Sequence, residues 1–223
     1  DMESMVQRVV RQIRSILPQA EITFASTLTQ RDGIINQIGD NVNIVIEPER
    51  RDTFPAIALA TDFLSKQKGC ADDEVVVVMP CDVFTENGYF DAIAKMASAA
   101  QSQEAELVLM GVRPTCPSDK YGYIIPSGEK SGVLSSGVSR FIEKPDQRHA
   151  EKLLEAGAYW NGGVFAFRLG YMMNIVSRYS QLPKISFDYE VVEKAESVSF
   201  IPYEGKWKDL GTWNVLCEEL PSD

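Results

Sequence analysis

The run of four valines at Val75–Val78, which leads into Pro80-Cys81-Asp82, constrains the fold of this chain most. β-Branched apolar runs of this length suit a strand that is buried on both faces in the middle of a parallel sheet. Open α/β sheets bind ligands at the carboxyl ends of their strands, so Asp82 stands where a site would open. A turn aspartate that caps the next segment is the alternative interpretation.

Helical and strand-like patterns alternate along the first half of the chain. Apolar residues recur at helical spacing from Met5 to Leu17 and stop at Pro18, and EITFAS and VNIVIE predict two strands with a short helix between them. The next helix, through AIALATDFLSK, is expected to have Thr53 as its N-cap and Pro55 in its first turn. With the valine strand, a helix around YFDAIAKMASAA and a strand in AELVLMGV, this order predicts a parallel sheet with crossover helices.

After Arg113 the pattern changes to paired strands. YGYIIPSG and GVSRFIEKP predict an antiparallel pair, and YWNGGVFAF predicts a further strand. A helix from Leu169, a helix in FDYEVVEKA, a strand in VSFIPY and a terminal helix after Gly211 complete the chain. We therefore expect a single α/β domain over residues 1–223, Rossmann-like, with a mixed, mainly parallel sheet and helices on both faces.

The charge, the cysteines and the histidine count weigh against several classes of function. Hydrophobic residues make up 44% of the chain, no apolar run reaches the length of a membrane span and no secretion signal is visible, so we expect a soluble cytoplasmic protein. A net charge of −10 opposes binding to nucleic acid or to anionic membranes. The four cysteines form no C-x-x-C pair, and the one histidine, His149, lies on a predicted surface helix, so neither a zinc site nor a His-dependent triad is expected.

Two aspartates on different loops indicate a metal site. Asp82 follows the valine strand, and Asp209 lies in KWKDLGTW between a predicted strand and the last helix, flanked by Trp207 and Trp213. Mg²⁺ takes a few carboxylates and leaves its other positions to water and phosphate oxygens, so this pair of side chains suits it. A plain helix cap at Asp209 is the alternative.

Three further segments carry polar groups that suit a sugar phosphate or a nucleotide. Glu143 and Lys144 lie at the end of a predicted strand, where successive side chains point to opposite faces. Glu143 can accept hydrogen bonds from sugar hydroxyls, and Lys144 offers a point charge to a phosphate. Asn161 precedes two glycines, which lets a ligand approach the backbone. EPERRDTFPA puts Arg51 and Thr53 at a helix N-terminus, where an anion or a base edge could bind. Each segment also has an ordinary interpretation as a solvated turn or strand end.

In this order, the segments resemble the nucleotidyltransferase domain of the mannose-1-phosphate guanylyltransferase family. The likeness runs from Ser4 to about Leu216 and depends on the ordered set EPERRDTFPAIALA, MPCD, YGYI, FIEKP, YWNGGVFAF, FDYEVVEK and WKDLGTW. The resemblance implies an enzyme that joins GTP and mannose 1-phosphate, releases pyrophosphate and uses Mg²⁺. It also implies a nucleotide-binding half at residues 1–113 and a sugar-phosphate-binding half at residues 114–223, and it leaves open whether the protein forms a homo-oligomer.

The resemblance implies roles for individual residues. Asp82 and Asp209 would hold the metal and, with Lys144 on the sugar phosphate, form the catalytic set. The substrate-binding residues carried over by motif are Arg51, Thr53, Pro55 and Ala56 beside the nucleotide, Gly122, Glu143 and Asn161 beside the sugar, and also Gly162 and Asp188. Attack by a sugar-phosphate oxygen on the α-phosphorus of GTP needs alignment and charge neutralisation rather than a nucleophilic side chain, which suits a chain with one histidine.

The chain departs from the pattern of that family at several points. P-C-D-V replaces P-A-D-H, and Asp52 and Phe54 replace Asn and Ala in R-N-T-A-P-A. No G-x-G-x-R-L loop with its later Pro-Lys precedes the first residue, and the family places the strand before that loop inside its sheet. We therefore expect the working protein to include a preceding segment with this strand and loop, because losing a central strand exposes the backbone of its neighbours. A stretch that the family carries is also expected to be missing between Ser180 and Gln181.

Three other functions compete with this one. Another sugar-1-phosphate nucleotidyltransferase would differ in its base or its sugar phosphate. A non-catalytic, sugar-nucleotide-binding regulatory subunit would explain a missing phosphate loop while keeping the sugar pocket. A glycosyltransferase with a D-x-D metal site is disfavoured, because Asp82 has no second aspartate two residues away.

Overall fold

The computed structural model describes residues 3–39 and 42–209. The helices are α1 (Met5–Ile16), α2 (Leu28–Ile38), α3 (Thr53–Lys66), α4 (Asn87–Gln101), α5 (Gln147–Glu155), α6 (Leu169–Val176) and α7 (Phe187–Glu190), with a 3₁₀ turn at Val192–Lys194. The strands are β1 (Thr23–Thr27), β2 (Asn43–Glu47), β3 (Val75–Val78), β4 (Val83–Thr85), β5 (Leu107–Val112), β6 (Tyr123–Lys130), β7 (Ser136–Ile142), β8 (Tyr159–Arg168), β9 (Val198–Tyr203) and β10 (Trp207–Asp209).

A six-stranded sheet lies at the centre of the described residues, in the order β3-β8-β5-β9-β7-β6. β5 pairs with β9 in parallel, whereas β8 runs antiparallel to β3, β5 and β6. β1 and β2 form a separate parallel pair, and β10 pairs antiparallel with β4. The α/β class is confirmed. The prediction of a mainly parallel sheet is wrong for the described strands, because β8 lies antiparallel between β3 and β5, which both point the same way.

Helices cover both faces of the central sheet, as the sequence predicts. The six residues of β5 are all buried, and they alternate between two clusters. Val108 and Met110 pack with Tyr89 and Met96 of α4, whereas Leu107 and Leu109 belong to the cluster that α3, α6 and α7 supply. Among the described residues, no helix has the length and apolarity needed to cross a membrane.

The valine strand β3 lies at the edge of this sheet, not in its middle. All four of its residues are only half-buried, and β8 is its one partner in the described part of the chain. The other edge of β3 faces an apolar cavity of about 1200 Å³, which Phe24 and Ala25 of β1 and Val9 and Val10 of α1 also line. The prediction of a strand buried on both faces inside a parallel sheet is therefore wrong for the residues that the structure describes.

The part of this cavity between β1 and β3, which we call the strand slot, separates two strand edges. β1 pairs only with β2 among the described residues, so β1 and β3 each present an unpaired strand edge. Edge strands carry free N–H and C=O groups, and one additional strand between β1 and β3 would pair them and bury the valines. The slot supports the expectation of a further strand, which stays a prediction, as does the missing stretch at Ser180-Gln181.

Most predicted elements are confirmed, and three predicted helices need comment. α3 begins after Asp52, not after Thr53, because the Asp52 Oδ1 accepts the Thr53 N–H at 2.8 Å and caps the helix. The helix predicted in FDYEVVEKA is reduced to the single turn α7 and the 3₁₀ turn. The terminal helix predicted after Gly211, together with Trp213 and Cys217, lies outside the described residues.

Candidate active site

The two predicted metal ligands lie on neighbouring segments. Asp82 is exposed in the bend between β3 and β4 and lines the cavity that contains the strand slot. β10 pairs with β4 so that Asp209 lies opposite Val83, the residue after Asp82. Facing Cα atoms on such a ladder are about 4.5–5.5 Å apart, so the fold brings the backbone at the two aspartates together. The side chain of Asp209 lies outside the described residues.

Carboxylates on two facing segments are the type of ligand that Mg²⁺ takes in proteins. In nucleotide sites, Mg²⁺ is held by one or two carboxylates and by oxygens of the substrate phosphates. Asp82 and Asp209 could supply the carboxylates and leave the other positions to the phosphates. Within the described part of the chain, no group of three histidine, cysteine, aspartate or glutamate side chains could hold a metal ion.

The carboxylate of Glu143 is buried beside the end of β7. Its side chain is 4% exposed, and Oε1 lies 3.1 Å from the Nζ of Lys144, whose side chain is 51% exposed. The Oε2 atom is buried and has no hydrogen-bond partner in the described part of the chain. A Cβ at Gly122 would lie 2.5 Å from this Oε2, so glycine at position 122 leaves the room that the carboxylate needs. Glu143 therefore keeps one buried carboxylate oxygen beside Gly122 without a hydrogen-bond partner among the described residues.

Lys144 adopts a backbone conformation that is rare for a residue with a side chain. Its φ is +44°, a left-handed value that costs about 1–3 kcal/mol. Because β7 ends at Ile142, the alternation of faces expected for Glu143 and Lys144 does not extend to them. The turn brings the ammonium group back to the carboxylate that precedes it, and strained residues of this kind cluster at ligand sites.

The amide of Asn161 connects two of the predicted site residues. Its Nδ2 donates to the Oδ1 of Asp188 at 2.6 Å, and its Oδ1 accepts the N–H of Gly163 at 3.2 Å. The backbone N–H of Asn161 donates to the carbonyl of Gly122 at 2.8 Å. These contacts bring six predicted residues together, which we call the Glu143 cluster: Gly122, Glu143, Lys144, Asn161, Gly162 and Asp188. Three of them, Asn161, Gly162 and Asp188, line the same cavity as Asp82.

Burial controls the charge of the Glu143 cluster. Burial raises the pKa of Asp188 to about 6, and the negative charge of Glu143 adds to the rise. Burial also raises the pKa of Glu143, against the lowering effect of its hydrogen bond from Lys144. Burial would lower the pKa of Lys144, but pairing with Glu143 outweighs it and the pKa is raised. The cluster therefore suits a ligand that donates hydrogen bonds to two carboxylates and presents an anion to one lysine.

We expect Asp188→Asn to stabilise the unliganded protein at neutral pH. The pKa of Asp188 in the folded protein, about 6, lies above the ordinary value of 3.8, so the ionised carboxylate destabilises the fold. The full destabilisation is present above pH 6, and none of it remains well below pH 3.8. Asparagine keeps the oxygen that accepts from Asn161 and removes the charge. Urea unfolding at pH 7.5 should show a gain of about 1–3 kcal/mol in the free energy of unfolding, which shrinks at pH 4.5.

Asp91→Asn is the matched control for this prediction, because Asp91 is exposed on α4. It should change the free energy of unfolding by less than about 0.5 kcal/mol at both pH values. An Asp188→Asn gain that is the same at both pH values would show that the charge of Asp188 is not its source.

Of the four residues predicted to border the nucleotide, two line the cavity. Thr53 and Ala56 are lining residues, whereas the half-buried Arg51 and Pro55 are not among them. Next to Thr53, Asp52 has φ +75° and ψ −179°, a combination that is almost confined to glycine. Asp52 is thus a second strained residue of this site, and its negative charge acts on Glu143.

The first amides of α3 are engaged within the protein. The Thr53 N–H donates to the Oδ1 of Asp52 at 2.8 Å, the Phe54 N–H donates to the carbonyl of Ile185 at 3.2 Å, and Pro55 has no N–H. A free helix N-terminus offers these amides to anions. In this conformation α3 does not, so a nucleotide at this helix end depends on side chains such as Arg51.

An aromatic group beside the cluster was not singled out by the sequence patterns. The ring of Tyr121 lies 4.9 Å from that of Trp160 and 5.3 Å from that of Trp207, measured between centroids. Tyr121 and Trp207 line the cavity, and the buried indole N–H groups of both tryptophans have no hydrogen-bond partner in the described part of the chain. Each aromatic residue stands within two positions of a predicted site residue in YGYI, YWNGG or KWKD, which is the signal that could have identified it.

Comparison with known proteins assigns the chain to a family. The sequence profile of the family described as Nucleotidyl transferase matches residues 2–223. The chain belongs to this family. The Glu143 cluster and the facing segments of Asp82 and Asp209 are therefore the candidate active site of a Nucleotidyl transferase domain.

Relatives of known name match much of the chain at moderate identity. The xanthan biosynthesis protein XanB of Xanthomonas campestris pv. campestris (strain B100) is 30% identical over 211 residues, which cover 81% of this chain and 44% of XanB. The mannose-1-phosphate guanylyltransferase of Escherichia coli (strain K12) is 28% identical over 211 residues, 79% of this chain and 44% of the relative. The chain thus spans less than half the length of these curated relatives.

A solved structure has the same fold. The protein named mannose-1-phosphate geranyltransferase, from Thermus thermophilus, superposes with a TM-score of 0.80 at 28% sequence identity. The match covers 95% of this chain and 68% of that protein. The mixed α/β architecture with a central sheet is therefore shared with this Thermus thermophilus protein.

Proposed function

We propose that this chain is the catalytic domain of an enzyme that transfers GMP from GTP to mannose 1-phosphate, with GDP-mannose and pyrophosphate as products. The Escherichia coli relative is named for this activity. The observation that carries the proposal is the Glu143 cluster, where Oε1 of the buried Glu143 carboxylate lies 3.1 Å from the Nζ of Lys144 and Oε2 has no hydrogen-bond partner within residues 3–39 and 42–209. A sugar phosphate has the matching chemistry, hydroxyl donors and an anionic group on one small molecule.

The reaction requires no covalent nucleophile from the protein. An oxygen of the sugar phosphate attacks the α-phosphorus of GTP, the bond from that phosphorus to the β-phosphate oxygen breaks, and pyrophosphate leaves. Lys144 would hold the attacking phosphate, while Glu143 accepts from sugar hydroxyls and so fixes the angle of attack. Asp82 and Asp209 would hold Mg²⁺, whose positive charge would offset that of the phosphates.

The test is a pyrophosphate-release assay on the full-length protein that carries this chain. GTP, UTP, dTTP, ATP and CTP are each paired with mannose 1-phosphate, glucose 1-phosphate and galactose 1-phosphate in the presence of MgCl₂. We expect GTP with mannose 1-phosphate to give a kcat/KM at least about tenfold above every other pair, because a site that hydrogen-bonds its substrate rejects analogues that lack the matching groups.

The assay separates the competing functions. Faster turnover of a different pair would replace GTP and mannose 1-phosphate with another base or another sugar. No pyrophosphate from any pair, together with calorimetric binding of GDP-mannose, would contradict the enzyme and favour a regulatory subunit that senses a sugar nucleotide.

A further inference from the structure

Two hydrogen bonds join the N-terminus of α3 to α7, which carries Asp188, and to the residues just before it. The N–H of Phe187, the first residue of α7, donates to the Oγ1 of Thr53 at 2.8 Å. The Phe54 N–H donates in return to the carbonyl of Ile185 at 3.2 Å. Phe54 and Phe187 are both fully buried, whereas Thr53 is exposed and its hydrogen bond to Phe187 is partly buried.

α7 has its own N-cap, where the Ser186 Oγ accepts the Tyr189 N–H at 3.3 Å, and is held further by contacts outside the helix. It is a single turn of four residues, and a helix this short is not stable without tertiary contacts. The first amides of a helix have no partner within the helix, and the Thr53 hydroxyl supplies one for Phe187. The ring of Phe187 packs 4.6 Å from that of Phe165, which fixes the other side of the turn.

A continuous series of contacts runs from Thr53 into the Glu143 cluster. Phe187 is followed directly by Asp188, whose Oδ1 accepts from the Nδ2 of Asn161 at 2.6 Å. A shift of α7 would therefore move the Asp188 carboxylate, its hydrogen bond to Asn161 and its charge relative to Glu143. The hydroxyl of Thr53 lies at the beginning of this series.

We propose that Thr53 is a positioning residue for the sugar phosphate, which acts through Phe187 on Asp188, and not a residue that binds the nucleotide. The proposal rests on the function proposed above. It differs from the role that the resemblance implies, because the Thr53 side chain accepts a hydrogen bond from α7 and the Thr53 amide is already engaged by Asp52.

The test compares two substitutions at one position in the full-length protein. Thr53→Val keeps the shape of the side chain but has no acceptor for the Phe187 N–H, whereas Thr53→Ser keeps the acceptor. We expect Thr53→Val to raise the KM for mannose 1-phosphate by about tenfold and to leave the KM for GTP within about twofold, since the lost interaction concerns one substrate. Thr53→Ser should restore the KM for mannose 1-phosphate to within about threefold of the wild type.

A double substitution tests the route through Asp188. If Thr53 acts on Asp188, then adding Thr53→Val to Asp188→Asn should raise the KM for mannose 1-phosphate by less than about twofold, because coupled residues are not additive. Full additivity of the two effects would overturn the route. Should Thr53→Val fail to fold, Thr53→Ala removes the same acceptor and carries the same comparison.

Other outcomes overturn the proposal directly. A rise in the KM for GTP with an unchanged KM for mannose 1-phosphate would place Thr53 on the nucleotide. Equal losses in Thr53→Val and Thr53→Ser would show that the hydroxyl bond to Phe187 is not the cause. If the wild type turns over no substrate pair, the proposed function fails by itself, and calorimetric binding of mannose 1-phosphate to the same variants then decides the role of Thr53.

Discussion

Asp82→Asn is expected to lower kcat for nucleotidyl transfer at least about a thousandfold, and Asp209→Asn to do the same. The main task of such a site is to neutralise the charge that develops on the phosphates during transfer, and removing a cation ligand loses several kcal/mol of that stabilisation. Each loss of about 1.4 kcal/mol lowers the rate tenfold. Asp82 is exposed and lies outside the two core clusters, so Asp82→Asn should melt within about 2 °C of the wild type. Steady-state pyrophosphate release at saturating MgCl₂ gives the measurement.

Asp73→Asn is the control for both substitutions. Asp73 is an exposed aspartate just before β3, at the opposite end of that strand from Asp82. It should keep wild-type kcat. Near-normal turnover of Asp82→Asn or of Asp209→Asn at saturating Mg²⁺ would exclude that aspartate as a required metal ligand.

The proximity of Asp209 to Val83, the neighbour of Asp82, shows what the sequence alone could and could not predict. The position of Asp82 was predictable from a local pattern, because a carboxylate that directly follows an apolar strand lies at the end of that strand, where sites open. The short strands β4 and β10, which contain Val83 and Asp209, were not predicted. That Asp209 faces Val83 was not predictable from either pattern, since the antiparallel ladder joins segments more than a hundred residues apart. Local propensity carries no information about which strand edges meet.

The position of the valine strand in the sheet was predicted wrongly. Its β-branched run correctly predicts a strand, but β-propensity describes a pleated, partly buried surface and does not distinguish an edge from the middle of a sheet. β3 lies at the edge because β8 covers one side and the strand slot lies on the other. The pattern of apolar residues therefore indicated a strand with two neighbours, and the described residues provide one.

Within the Glu143 cluster the residue types were predictable and their interactions were not. The alternation of faces along a strand predicts that Glu143 and Lys144 diverge, yet a left-handed φ at Lys144 brings them together. The surrounding structure determines such a conformation, so the local sequence around Lys144 does not predict it. The bond from Phe187 to Thr53 likewise spans 134 positions of the sequence.

Glu143→Gln is expected to raise the KM for mannose 1-phosphate by about 10- to 100-fold and to leave the KM for GTP nearly unchanged. Hydrogen bonds to a charged partner contribute about 1.5–3 kcal/mol, and glutamine replaces one of the two acceptor oxygens of the carboxylate with an amide donor. Glutamine is close in size to glutamate, so the space beside Gly122 is preserved. Separate titrations of the two substrates give both KM values, and Glu151→Gln, at an exposed position of α5, should change neither. Equal rises for both substrates would contradict the placement of Glu143 on the sugar phosphate.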